Sequence, residues 1–320
     1  MLSYILRRIV ISIPILIGVT VITFIFIQMV PGDYIDTLVN PEKSPATRQD
    51  MVALEEQLGL NKPAPVQYGL WMKELAKGNL GYSLSSRKPV TDELMRRLIP
   101  TLKLTFTALG FAIIVGITLG IISALRPYSL LDYFLTLSGF IWISVPSFFA
   151  AIIALYFFSI KIPIFPVAGT GPAGVANPSI PQQFYYLLLP AAILGLERVA
   201  TFMRYARASM LEVLRQDYVT VARAKGLSSH RVILSHAFRN ALLPLITVIG
   251  LSLPSLIGGS VVIESIFGWP GLGTYSITAV TQRDYPVIMG INFVAAIVVL
   301  GSNLLADVAY GIADPRIRYE

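Results

Sequence analysis

The sequence predicts an all-α membrane protein of six transmembrane helices with a long extracytoplasmic loop after the first. Three observations carry that prediction. The 320 residues are 55% hydrophobic and only 13% charged, with a mean hydropathy of +0.69. The apolar residues come in uninterrupted blocks of membrane-spanning length rather than at helical or strand spacing. The basic residues gather in the segments on one side of those blocks.

Residues 9–30, 104–125, 133–160, 241–263 and 287–306 contain no Asp, Glu, Lys or Arg. A span needs roughly 20 apolar residues, so each of these blocks is read as one transmembrane helix. The first follows Arg7 and Arg8, as the apolar region of a signal peptide would. Its 22 residues exceed the roughly 7–15 of a cleaved region, and Pro31-Gly32-Asp33 lacks the small residues of a cleavage site. Residues 1–30 are therefore expected to remain as an N-terminal transmembrane helix.

The extracytoplasmic region 31–99 holds nine basic and nine acidic residues, and a loop of that length crosses largely regardless of charge. Pro31-Gly32-Asp33, Pro63, Pro65 and the stretch from Gly78 to Ser83 mark turns around short helical patches such as residues 53–60. Residues 100–312 form the core transmembrane domain. Within it, residues 184–196 supply only 13 uncharged positions before Glu197 and Arg198, so this helix must extend past that pair to cross. Residues 161–186, with five Pro and three Gly, form a second outer loop of little regular structure. Residues 313–320 are the tail.

Loops on the N-terminal side hold 13 basic residues, eight of them from Arg198 to Arg239, whereas the short loops opposite hold only Lys161 and Arg283. The positive-inside rule puts both termini in the cytoplasm, as expected for an even number of spans. The net charge of +7 thus reflects loop bias and does not imply a nucleic-acid partner.

The five apolar blocks carry no ionisable group, unlike a carrier driven by a proton or sodium gradient, which binds its ion at membrane depth. Gln28, Asn292 and Asn303 are expected to hydrogen-bond between helices, and Asn292 is also a candidate for a substrate path. Glu197 and Arg198 either line such a path or pair with each other at the interface with snorkelling stems. Gly116 and Gly120 form a GxxxG spacing for close helix packing, and Pro146, Pro190, Pro244 and Pro254 mark expected bends. The chain has no cysteine, no phosphate-binding GxxxxGK[ST] loop, no HExxH and no GxSxG. No cofactor, ATP site or metal site is therefore expected on this chain; His230 and His236 lack neighbouring ligands.

Residues 217–244 then stand out, because four basic residues and both histidines fall in one short stretch of an apolar protein. Ala222–Lys225 favour helix, Gly226 suits the left-handed conformation that ends one, and Ser228 or Ser229 can cap a second short helix beginning near Arg231. Three readings apply: a solvated basic loop, a DNA-binding helix-turn-helix, or a docking surface for a soluble partner. The DNA reading lacks a domain around it, since the stretch runs directly into the apolar block at Ala241.

The residues DYVTVARAKGL (217–227) followed by HAFRNALLP (236–244) resemble the cytoplasmic signature loop of the integral membrane subunits of bacterial ABC importers, specifically the dipeptide and oligopeptide permease group. MLSYILRRI with the following PGD, GNLGYS, SVPSF (144–148), RASMLEVLRQDY (207–218), VIESIFGWPGLG (262–273), RDYP (283–286) and the closing DPRIRYE are similar to the first of the two permeases in such systems, in the same order. Thr220, Val221 and Ala222 stand where the wider importer loop has Glu-Ala-Ala, a departure usual in the peptide group.

The resemblance implies the type I ABC importer transmembrane fold in the bacterial inner membrane. It implies a second homologous permease, two cytoplasmic ATPase subunits that bind ATP and magnesium, an extracytoplasmic binding protein and a peptide substrate. The coupling loop 210–240 would enter a cleft of the ATPase through Thr220, Val221, Ala222, Ala224, Lys225, Gly226, Ser229, His230, Arg231, His236, Arg239 and Asn240. Related permeases carry nickel chelates, glutathione or oligosaccharides, so these stay open as substrates. The alternative from another class is an autonomous secondary carrier or channel.

Overall fold

A computed structural model describes residues 2–29, 62–175 and 177–313. Residues 30–61, including the patch at 53–60, and the tail from 314 lie outside the described residues. The regular elements are helices: α1 (Leu2–Met29), α2 (Ala64–Leu75), α3 (Val90–Leu125), α4 (Leu130–Ser144), α5 (Ser147–Leu155), α6 (Ile180–Leu214), α7 (Asp217–Ala224), α8 (Ser229–Ile266), α9 (Leu272–Thr281) and α10 (Tyr285–Ala313). Extended chain pairs only at an isolated bridge between Tyr82 and Pro89 among the described residues.

Among the described residues, five helices are long and apolar enough to cross a membrane: Ile5–Met29, Val90–Leu125, Ile180–Leu214, Ser229–Ile266 and Tyr285–Val308. Helices α4 and α5 pass the same test only together, as a bent pair. The uncharged block 133–160 bends where Pro146 marked a bend, but more sharply than a kink within one helix: α4 and α5 meet at 102°, and α5 ends in a π-helical turn over Tyr156–Lys161. The cause is Pro146, whose ring disfavours helical geometry in the residue before it; Val145 is accordingly extended, with φ −83° and ψ 122°. Pro190, Pro244 and Pro254 lie inside helices that continue through them. The short uncharged block before Glu197 does extend, giving α6 its 35 residues.

Two compact units divide the chain: Pro100–Gly273 with Val299–Glu320, and Leu2–Ile99 with Thr274–Val298. Helices α3 and α10 contribute to both.

In the first unit, the core gathers Leu104, Leu187, Leu194, Leu256, Ile263 and Trp269. The GxxxG residues of α3 work as expected, because a Cβ on Gly116 would lie 2.8 Å from the Val199 carbonyl oxygen and one on Gly120 2.6 Å from the Ala206 Cβ. Gly195 returns the contact from α6, its hypothetical Cβ lying 2.6 Å from the Ala108 carbonyl oxygen. Near the end of α8, Glu264 is fully buried. Its carboxylate accepts from the Thr101 hydroxyl at 2.7 Å, the Ser260 hydroxyl at 3.1 Å and the Gly273 N–H at 2.7 Å. Gly273 has to be glycine-sized, since a Cβ there would sit 2.5 Å from the Val261 Cα and 2.7 Å from Glu264 Oε2.

In the second unit, α1 and α2 meet through Thr20 and Tyr68, whose hydroxyls are 2.9 Å apart, and through the Gln28 amide donating to Gln67 at 3.2 Å. Gln28 therefore bonds between helices as expected; Asn292 instead donates to the Ile288 carbonyl of its own helix at 3.0 Å. Buried Asp284 organises the turn after Gly81: its Oδ2 accepts from the Ser83 hydroxyl at 2.6 Å and the Leu84 and Ser85 N–H groups at 3.1 and 3.3 Å. The Arg97 guanidinium stacks 4.5 Å from the Tyr275 ring centre, and burial pushes the Tyr275 phenol above its ordinary value.

The Gly120 contact yields a direct test. Gly120→Ala should destabilise the protein by about 1–3 kcal/mol through overpacking. Gly110→Ala, on the same helix with no atom within 4 Å of the new methyl, should be neutral or slightly stabilising. Thermal unfolding of the two purified variants in detergent checks the contrast.

Candidate functional site: the basic segment between two long helices

Helix α6 ends at Leu214, and Gln216 turns the chain with φ −75° and ψ 147°. Its carbonyl accepts from the Val219 and Thr220 N–H groups, opening α7. Asp217 lies in the first turn and Arg223 in the last, the arrangement that the helix dipole favours. The helix is held by one face: Val219 and Ala222 are buried against Val232, with Val213, Leu214 and Leu227 around them. The other face is open, because Tyr218 and Val221 are 42% and 51% exposed and Thr220, Ala224 and Lys225 are exposed with them.

Gly226 closes α7 with φ +74°, the left-handed conformation expected of it, and its N–H donates to the Arg223 carbonyl at 3.0 Å. Ser228 occupies the N-cap of the next helix, but its side chain makes no capping bond. The expected second short helix is the start of α8, which runs unbroken from Ser229 to Ile266. Its apolar continuation into the 241–263 block leaves no reason for a stop. Residues Val232–Phe238 form a π-helical stretch, a feature frequent at functional sites.

The sequence-derived residues divide accordingly. Thr220, Val221, Ala224, Lys225, Gly226, Ser229, His230, Arg231, Arg239 and Asn240 are exposed, His236 is half-buried and Ala222 faces inward. The Asn240 amide donates to the Tyr218 hydroxyl at 2.9 Å and the His236 carbonyl at 3.1 Å, tying α7 to the first turns of α8. Glu197 and Arg198 pair with each other at 3.7 Å, with the Glu197 side chain 53% exposed.

Asp132 was not among the residues expected to matter, yet it anchors the helix that leads into this segment. Arg207 of α6 grips its carboxylate with two bonds of 2.7 Å, the Tyr128 N–H adds a third at 2.8 Å, and the Ser123 hydroxyl donates to it as well. The only local signal was Ser129-Leu130-Leu131-Asp132, a helix-start pattern. The Ser129 hydroxyl does accept from the Asp132 N–H at 3.2 Å.

The site is built from exposed side chains on α7 and the first turns of α8. Among the described residues no cluster of His, Asp or Glu is arranged to hold a metal ion. What it offers is a short helix fixed on its inner face and open on its outer one, placed between two long apolar helices.

Comparison with known proteins shows the family of the chain as a whole. Residues 116–319 match the family described as the binding-protein-dependent transport system inner membrane component, and residues 1–105 match its N-terminal membrane component. The chain belongs to this permease family. It is 42% identical over 320 residues to the oligopeptide transport system permease protein AppB of Bacillus subtilis, covering all of both chains. It is 42% identical over 337 residues to the dipeptide transport system permease protein DppB of Alkalihalophilus pseudofirmus and 38% identical over 344 residues to DppB of Escherichia coli K12, again over the full length of each.

Among solved structures, this permease resembles the inward-facing MetNI methionine ABC transporter, with a TM-score of 0.54 and 16% identity over 69% of this chain and 96% of that one. It also resembles an amino acid ABC transporter, with a TM-score of 0.51 and 16% identity over 71% and 95%. The permease thus has the type I ABC importer transmembrane fold. It is a multi-pass inner-membrane subunit of a family that works with an ATPase, a substrate-binding protein and a second permease.

The Asp132 clamp is testable. Removing one partner of a buried ion pair costs about 3–5 kcal/mol, because the other charge is left uncompensated. Arg207→Gln and Asp132→Leu should each lower the melting temperature markedly, while Asp132→Leu combined with Arg207→Met should recover part of the loss, a non-additivity read by thermal unfolding.

Proposed function

We propose that this permease takes up dipeptides or oligopeptides delivered by an extracytoplasmic binding protein, using ATP hydrolysed on two cytoplasmic ATPase subunits and sharing the pathway with a second, homologous permease. The peptide substrate is supported by the full-length relatives named as oligopeptide and dipeptide permeases. No ATP or other cofactor is assigned to this chain. Both termini and the 217–240 segment face the cytoplasm in this reading, on the strength of the 13 basic residues on that side against two opposite.

The observation that carries the coupling role is the two-faced α7. A helix whose Val219 and Ala222 are anchored while Tyr218 and Val221 stand open is suited to seat in a groove of a partner. The surrounding Arg223, Lys225, Ser229, His230 and Arg231 would form the polar rim, with His236, Arg239 and Asn240 bracing the start of α8. Motion of the ATPases would be delivered through α7 to α6 and α8 together, because the chain enters α7 from one and leaves into the other. Glu197 and Arg198 remain the proposed substrate-path residues, with Asn292 the third.

Two experiments test this reading. The chain lacks cysteine, so Ser229→Cys should crosslink to a cysteine in the ATPase cleft, whereas Ser302→Cys, buried in α10, should not. Gly226→Val, which places a β-branched residue in a left-handed position at a cost of about 1–2 kcal/mol, should leave membrane abundance near normal but abolish ATP-driven uptake. Absence of the crosslink together with full uptake by Gly226→Val would reduce the segment to a solvated loop.

Orientation is tested separately. A reporter active only outside the membrane should work when fused near Gly78 or Gly171 and stay silent near Ser228. Activity at Ser228 would reverse the assignment.

A further inference from the structure

Helices α4 and α6 of the first unit leave an open groove between them, lined by Gly139, Phe140, Ile143, Ala200, Met203 and Arg204, with a cavity volume of about 120 Å³. Gly139 and Ala200 supply its small floor, and Phe140 and Ile143, 54% and 41% exposed, its outward wall. That volume is near the ~150 Å³ of an apolar cavity that holds one benzene and well under the ~300–1,000 Å³ of small-molecule pockets. The groove takes a few methylenes and is too small for a peptide.

Two arginines stand at one end, and they differ. Arg207 is committed to Asp132 by its two bonds. Arg204, one turn away, is exposed and makes no ion pair among the described residues. Its depth along α6 is informative. The uncharged run from Ile180 to Leu196 covers roughly 25 Å, and Arg204 lies roughly 36 Å from Ile180 at 1.5 Å per residue. Hydrocarbon is about 30 Å thick and the bilayer with headgroups about 40–45 Å, so Arg204 reaches the headgroup layer while the groove extends toward the chains.

We propose that this groove seats an acyl chain of an anionic phospholipid whose phosphate is bound by Arg204. The guanidinium fork matches phosphate oxygens in two-bond geometry, and the apolar lining from Met203 to Ile143 matches the chain below it. A zwitterionic lipid offers the same phosphate but carries its own ammonium group, which competes for it. Charge complementarity therefore selects the anionic class. A helix of the second permease is the competing occupant.

The assembled transporter is reconstituted in nanodiscs of equal phosphatidylglycerol and phosphatidylethanolamine, released, and weighed by native mass spectrometry. Wild type should retain phosphatidylglycerol in preference. Arg204→Gln should reduce that retention about fivefold, the effect of one basic residue at an anionic surface, and Arg204→Lys should keep most of it. In parallel, Ile143→Cys in the otherwise cysteine-free chain is treated with a short thiol-to-amine crosslinker, which should leave the second permease uncaptured. Equal retention of the two lipids, unchanged retention by Arg204→Gln, or capture of the second permease from Ile143→Cys would each overturn the proposal. The wild-type preference needs no variant, so it decides the matter even where Arg204→Gln fails to assemble. Peptide uptake is measured separately and does not enter the lipid reading.

Discussion

Much of this structure depends on how a chain with so few charges treats the carboxylates it buries. A carboxylate removed from water must be met by donors or an opposite charge, because its desolvation otherwise costs more than the fold can supply. Asp132 is met from several directions: Arg207 on α6, the backbone at Tyr128, and Ser123 near the end of α3. Satisfying one side chain therefore fixes the end of α3, the turn after it and the start of α4 against α6. Glu264 does the same for α3, α8 and the approach to α9, and Asp284 for the turn at Ser83.

These fixed points complement packing that has little specificity of its own. Apolar side chains gain nothing from leaving lipid, so helix association in a membrane relies on close approach and on polar contacts. The α3–α6 contact supplies the close approach through Gly116, Gly120 and Gly195, where a Cβ would meet backbone. The buried carboxylates set position along the helices, and the glycines set distance. Together they hold α6 in a defined position down to the basic segment.

The basic segment itself has an economical design. Two inward residues, Val219 and Ala222, hold α7 in place, and Gly226 provides the left-handed turn into α8. Of the outward residues, Tyr218 ties α7 to α8 through Asn240, and Val221 stands exposed on the open face. Under the proposed role, coupling needs no catalytic chemistry on this chain, only a rigid seat and two long helices attached to it.

The sequence by itself determined which segments enter the membrane, since uninterrupted apolar runs leave no other solvent for them. It also determined the turn at Gly226, because a left-handed residue is a local property, and the family, through motifs spread along the chain. The break at Pro146 was only half legible: the proline was visible, but Pro190, Pro244 and Pro254 sit in helices that continue. The merging of the second short helix into α8 was hidden for a similar reason, as the serines that suggested a cap make no capping bond there. Tertiary structure alone decided the partners of the buried carboxylates, which lie 75 residues away for Asp132 and Arg207, 163 for Thr101 and Glu264, and 200 for Leu84 and Asp284. Composition and periodicity report on neighbours within a few turns, whereas a buried charge is satisfied by whatever the fold brings to it.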